Sequence, residues 1–211
     1  MRTERHGLAA RTGSPSLTSA RASSLHRSGY PARWGGLMPG SRYQSRYTAF
    51  AVLLRGTVAG AIGTATMDLA QYVRYRKNGG EDGIFAWEFS GVKTWAGAPA
   101  PAQVGKRLIE GLFQTKLPDK AANVVNNAAH WAYGIGCGAA FALAAGSAPP
   151  RARWGALFGT VVWLADHAVL PATGLYKPIW DYDAKTLGTD WADHLVYGTA
   201  TAGAFGALPT T

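Results

Sequence analysis

Six side chains that can gain or lose a proton stand inside the most apolar stretches of this 211-residue chain: Asp68, His130, Asp166, His167, Asp193 and His194. Four of them form a doubled Ala-Asp-His, once in WLADHAVLP and once in DWADHLVYG. Ionisable groups at such depth are costly, so their presence asks for a reason. Four kinds of chemistry fit the residue types. The first is purely structural, each Asp accepting a hydrogen bond from a His or Trp of a neighbouring helix. The second is a divalent-metal site in which His130, His167 and His194 are ligands and a carboxylate completes or orients the set. The third is a proton or small-solute pathway, because imidazole changes charge near neutral pH. The fourth is a haem with His130 and His194 as axial ligands. Composition and spacing leave these alternatives open, and any cofactor is unspecified beyond metal or haem.

Spacing does limit the geometry. Neighbours on a helix diverge by about 100°, so the Asp and His of each copy face different partners. Asp166 and Asp193 are therefore expected to reach a His on another helix. No His-x-x-x-His or Glu-x-x-His pair lies on one helix, which weakens the metal alternative. Nucleophile elbows, phosphate loops and dinucleotide fingerprints are absent, and Gly-rich runs such as GIGCG lie mid-segment where they pack helices. The single Cys137 excludes an intrachain disulfide framework and reads as a small buried side chain. An enzyme is not the leading expectation.

Four segments of about twenty mostly apolar residues can carry these groups: 49–73, 124–146, 153–174 and 190–209. They lack a charged outer face and are crowded with Gly, Ala, Ser and Thr, a composition suited to close helix packing in lipid. The expected fold is all-α, an integral membrane four-helix bundle. Between the first two segments, Val104, Leu108, Ile109, Leu112 and Phe113 recur at helical spacing, opposite Lys106, Arg107 and Glu110. Pro101 and Pro118 bracket them, which predicts a short amphipathic helix over 102–116 at the membrane interface or over the bundle mouth. Trp87 and Trp95 suit a headgroup-level aromatic belt.

The second and fourth segments match without gaps: HWAYGIGCGAAF from His130 aligns with HLVYGTATAGAF from His194. The first and third match more loosely, GAIG then Asp68 against GALFG then Asp166. Two tandem helical hairpins follow, as parallel repeats. Each His heads a stripe of small residues: His130, Gly134, Gly138 and His194, Gly198, Ala202. Gly56, Gly60, Thr64 and Asp68 form a comparable line, as do Gly155, Gly159 and Asp166. The polar residues thus lie on helix–helix faces. With alternating segments, all six come to one end of the bundle, at similar depth.

Arg42, Arg46 and Arg55 near the first segment, with Arg151 and Arg153 between the second and third, mildly favour both termini in the cytoplasm. Arg74, Arg76 and Lys77 argue the other way. The six ionisable groups then lie near the non-cytoplasmic face. Residues 1–48 hold eight Arg against one Glu and so supply +7 of the formal +9. The mean hydropathy of -0.05 hides this segregation. Residues 1–45 read as a disordered basic tail, either a transit-like segment or, preferably, sequence upstream of a true start at Met38 in a GC-rich bacterial gene. The basic charge belongs to that tail, and no nucleic-acid motif accompanies it.

The segments NNAAHWAYG, WGALFGTVVWLADHAVLPATGLYKPIWD and DHLVYG together resemble the YagU-like family of small bacterial inner-membrane proteins. The shared order is a glycine-rich helix ending in His, a nearby Pro, a loop with Gly174, Leu175 and Pro178, and a His-Leu-Val opening the last helix. The likeness covers about 50–205 in architecture and 125–200 in motif detail. It implies a four-span inner-membrane protein and no defined activity. The long basic N-terminus and the first-loop helix depart from that pattern. The expectation is a non-enzymatic membrane protein in the lipid bilayer, a small transporter, channel-like element or accessory subunit, in a homo-oligomer or larger complex. A metal- or haem-binding protein is the alternative, and a purely structural subunit the second.

Overall fold

The structure, a computed structural model, describes residues 40–146 and 152–209. The expected tail over 1–39, the alternative start at Met38 and Arg151 lie outside the described residues. Six α-helices and no strand occur among those described: α1 Gly40–Lys77, α2 Ile84–Ser90, α3 Ala100–Phe113, α4 Ala122–Ala145, α5 Ala152–Ala172 and α6 Ala184–Ala207. The described part of the protein is all-helical. Helix α1 starts at Gly40, inside the stretch 1–45 assigned to the tail.

Local chemistry explains the helix ends. Arg74, Arg76 and Lys77 occupy the last turn of α1, where cations meet the negative end of the helix dipole. Pro99 and Pro101 open α3 two residues earlier than the spacing suggests, and Gln114 closes it in a left-handed conformation at φ 50°. Helix α5 ends in a Schellman motif: Leu175 N–H donates to the Leu170 carbonyl and Gly174 N–H to that of Pro171, both at 2.9 Å. That motif needs a left-handed residue, and Gly174 supplies it at φ 71°. Asp183 caps α6, accepting from Thr186 N–H at 3.0 Å and its hydroxyl at 2.6 Å.

The long helices pack as α1 on α4 and α6, and α5 on α6. Helices α4 and α5 meet through side chains, with Phe141 and Phe158 rings 4.8 Å apart. Helices α2 and α3 lie on α4, in the connection between α1 and α4. Glycine lets the backbones touch. A Cβ on Gly60 would lie 2.6 Å from the Gly134 carbonyl, and one on Gly56 2.7 Å from that of Gly138. A Cβ on Gly155 would stand 2.7 Å from the Gly198 carbonyl, and Gly159 abuts His194. One interior group is accordingly small or aromatic, Ala59, Phe141, Ala142, Ala202 and Phe205, and Met67, Val162 and Tyr197 form a second.

The larger aliphatic side chains point outward. Phe50, Leu54, Val58, Ile62, Leu69 and Val73 of α1 are exposed, as are Leu157, Val161, Leu164 and Val169 of α5. Helix α3 packs onto α4 through Ala102 and Gly105 and leaves Leu108, Leu112 and Phe113 uncovered. At the end of α6, Arg55 donates to the Phe205 carbonyl at 2.6 Å and stacks on its ring. A cation there satisfies a carbonyl that the helix cannot. Two stretches, Ala49–Lys77 and Trp154–Ala172, are long and apolar enough to cross a membrane. Helices α4 and α6, at 24 residues each, have the length but carry the Asn, Asp and His residues.

Candidate functional site

All six ionisable residues lie at the end of the bundle where α1 and α5 finish and α4 and α6 begin, but they form separate pairs. Asp68 of α1 meets His130 of α4, Oδ1 to Nε2 at 2.9 Å. Asp166 of α5 meets His194 of α6, Oδ2 to Nε2 at 3.3 Å. Each of these pairs joins one Asp late in a helix to the His early in the next long one.

Asp193 departs from the expected pattern. It reaches no histidine, and both its oxygens accept from the Arg74 guanidinium, at 2.8 and 2.5 Å. Arg74 had weight in the sequence only as a marker of orientation. A bidentate fork is the stronger partner for a carboxylate whose side chain is 8 % exposed. The usable signal was position: Arg74 follows Asp68 by six residues on α1, and it stands level with Asp193, ten residues into α6.

His194 has two acceptors to satisfy. Its Nδ1 lies 2.8 Å from the Asp190 carbonyl, an oxygen that can only accept, so Nδ1 carries hydrogen. Its Nε2 faces Asp166 Oδ2, while Tyr133 donates its hydroxyl to Asp166 Oδ1 at 2.6 Å. A lone pair on Nε2 facing a carboxylate oxygen would repel it. An N–H on Nε2 donating to Asp166 Oδ2 is the arrangement that removes this repulsion.

His167 is arranged differently. Its Nδ1 donates to the Trp163 carbonyl at 3.1 Å, and its ring packs against that of Trp163 at 4.7 Å, tilted by 43°. Nε2 then lies 3.8 Å from Asp190 Oδ2. That oxygen accepts from Trp163 Nε1 at 3.0 Å. Tyr133, Asp166, His194, Asp190 and His167 thus form one polar file from the α4–α5 seam across to α6. Tyr133 and Asp190 escaped the sequence reading, Tyr133 because aromatic residues in apolar runs usually pack, Asp190 because it sits at the segment boundary.

Glu88 of α2 is a further addition beside the Asp68–His130 pair. Burial, with help from the Asp68 charge, pushes its carboxyl above the usual range, while Trp131 hydrogen-bonds to it. Asn127 of α4 ties α2 down by donating to the Glu88 carbonyl at 2.9 Å.

The metal alternative required His130, His167 and His194 to converge, and the haem alternative required His130 and His194 to face one another. Among the described residues no three His, Cys, Asp or Glu side chains form a metal-holding group. The Nε2 atoms of His130 and His194 each face a carboxylate of a different pair, so the three imidazoles do not make a ligand set. Cys137 is half-buried beside Met67, Val162 and Tyr197.

No family profile, curated protein or solved structure matches this chain.

Proposed function

We propose that the chain is a four-span helical membrane protein of two tandem hairpins, acting as a small transporter or channel-like element rather than an enzyme. The Asp166–His194 pair carries the transport part of this reading. A part-buried Asp–His pair with a second imidazole nearby, His167 Nε2 lying 3.8 Å from the Asp190 carboxylate, sets out the kind of groups a relay uses.

The membrane part rests on inverted packing. Only 39 % of the apolar window in α1 and 22 % of that in α5 is buried within the protein, whereas the core helix of a soluble bundle would be mostly buried. Without a hydrophobic drive between helices, small residues at the contacts and large ones toward lipid are the stable arrangement. Leu108, Leu112 and Phe113 of α3 then lie in the interface, with Lys106 and Arg107 beside them. A place in a bacterial inner membrane with cytoplasmic termini, membership of the YagU-like family, and assembly as a homo-oligomer or accessory subunit belong to the same proposal.

Reconstituted liposomes carrying a pH-sensitive dye test it. Wild-type protein should dissipate an imposed pH gradient, and Asp166→Asn or His167→Ala should slow this by about a hundredfold or more, the low end of what losing a positioned proton-transfer group costs. Equal flux in wild type, variants and empty liposomes would remove the transport reading.

A further inference from the structure

Where α5 gives way to α6, a cavity of about 240 Å³ is lined by His167, Tyr176, Tyr182, Thr186, Leu187 and Asp190. Drug-sized ligands occupy roughly 300–1,000 Å³, so this site takes something smaller. Three rings form its wall. Tyr176 and Tyr182 centroids stand 6.3 Å apart at 65°, and the His167 ring is 5.6 and 5.9 Å from them. The Tyr182 hydroxyl is held by the Lys177 backbone N–H at 3.3 Å.

The charge of this cavity is negative. Its single carboxylate, Asp190, spends Oδ2 on Trp163 Nε1. Oδ1 lies 3.6 Å from His194 Nδ1, too far for a hydrogen bond, and that nitrogen already serves a carbonyl. No Lys or Arg lines the cavity. Burial pushes the Tyr176 phenol up to about 12, and the charges of Asp190 and Asp166 add to the shift, so its ring stays neutral at physiological pH.

An anion would meet the Asp190 carboxylate with no Lys or Arg side chain in the lining to balance its charge. A metal ion would find one carboxylate and one imidazole, short of the three protein ligands usual even in open sites. Electron-rich rings around one carboxylate suit a cation that is bulky and weakly hydrated, because the ring faces attract it and the carboxylate balances its charge.

We propose that this cavity binds a small alkylammonium or quaternary ammonium cation, with Tyr176 and Tyr182 as aromatic walls and Asp190 as counter-charge. The inference rests on the transport reading for its purpose, since it names the class of solute, but binding is measured independently of flux.

The experiment uses the full chain in a maltoside detergent, which carries no ammonium group. Tetramethylammonium and choline are titrated calorimetrically and against Trp fluorescence, with the neutral isostere of choline, carbon in place of nitrogen, as control. Both cations should bind saturably, with the isostere about tenfold weaker or worse. Asp190→Asn and Tyr182→Leu should each weaken choline by about tenfold, the scale of a desolvated cation–π or charge contact. Absence of saturable binding to the wild type, or equal affinity for choline and its isostere, would overturn the proposal. The isostere comparison needs no variant, so misfolding of Asp190→Asn leaves the outcome decided. Binding without flux in liposomes would remove the transport reading and leave this site standing.

Discussion

Tyr176 illustrates how one side chain reports on its surroundings. Its phenol ionises only near 12 against a usual value of 10, first because it is buried and then because Asp190 and Asp166 are negative. A group with a raised folded pKa stabilises the native state fully below the unfolded value and loses that contribution as pH rises through the folded one. For Tyr176 the loss falls between about 10 and 12. Absorbance titration of tyrosinate should show a late-ionising phenol that vanishes in Tyr176→Phe, and Asp190→Asn should move it toward lower pH. An unchanged titration in Asp190→Asn would mean that the carboxylate does not act on the ring. None of this was legible from spacing, because Tyr176 and Tyr182 stand in a loop, and only the fold brings them to His167. Asp166 with His194 was closer to legible, since the divergence of neighbours on a helix already sent each Asp to another helix. Asp193 followed the same rule to a different partner, because a guanidinium offered two hydrogen bonds where an imidazole offers one.

At the scale of helices, glycine spacing carried most of the information. Gly134 and Gly198 take equivalent places in the two His-headed stripes, and both meet a partner helix: a Cβ on Gly198 would stand 2.5 Å from Gly159 N, and the Thr64 side chain fills the space beside Gly134. Position along one helix therefore decides what an added methyl does. Gly198→Ala should destabilise by about 1–3 kcal/mol through overpacking. Gly203→Ala meets nothing within 4 Å and should be neutral or stabilising by up to about 1 kcal/mol, from the lower helix propensity of glycine. Thermal unfolding in detergent, followed by circular dichroism, compares the two; equal melting would contradict the packing. Helix α3 shows where periodicity misleads. Its large apolar residues were identifiable, but the side it buries is the one with Ala102 and Gly105. Small residues permit the close approach to Val125 and Ala129 of α4, and the bulky ones are left for another surface.

For the whole molecule, the question is which solvent the outer face meets, and magnitudes separate the answers. Val161 lies mid-way along α5 and is 52 % exposed. If that face meets water, Val161→Asp is a surface change, within about 0.5 kcal/mol of neutral and favourable for solubility. If it meets hydrocarbon, a central Asp costs about 2.5–3.5 kcal/mol in insertion, enough to lower the inserted fraction by tens to hundreds-fold. Asp183, which caps α6 outside the apolar run, is already acidic and so offers no control position. A better contrast is Gln114→Asp, at the exposed end of α3 beyond the apolar windows. Wild type and Gln114→Asp should stay with the membrane pellet after carbonate at high pH, whereas Val161→Asp should be depleted from it or degraded. Release of the wild type by carbonate, or a Val161→Asp protein that gains solubility without losing its fold, would mean that the bundle is not lipid-facing. The inverted packing would then need a second copy of the chain, or another protein, to cover the Leu, Val and Ile residues of α1 and α5. Such a cover would have to be nearly continuous along both helices, from Phe50 to Val73 and from Leu157 to Val169. A bilayer covers that height without a matching partner surface, which is why the lipid reading is the more economical one.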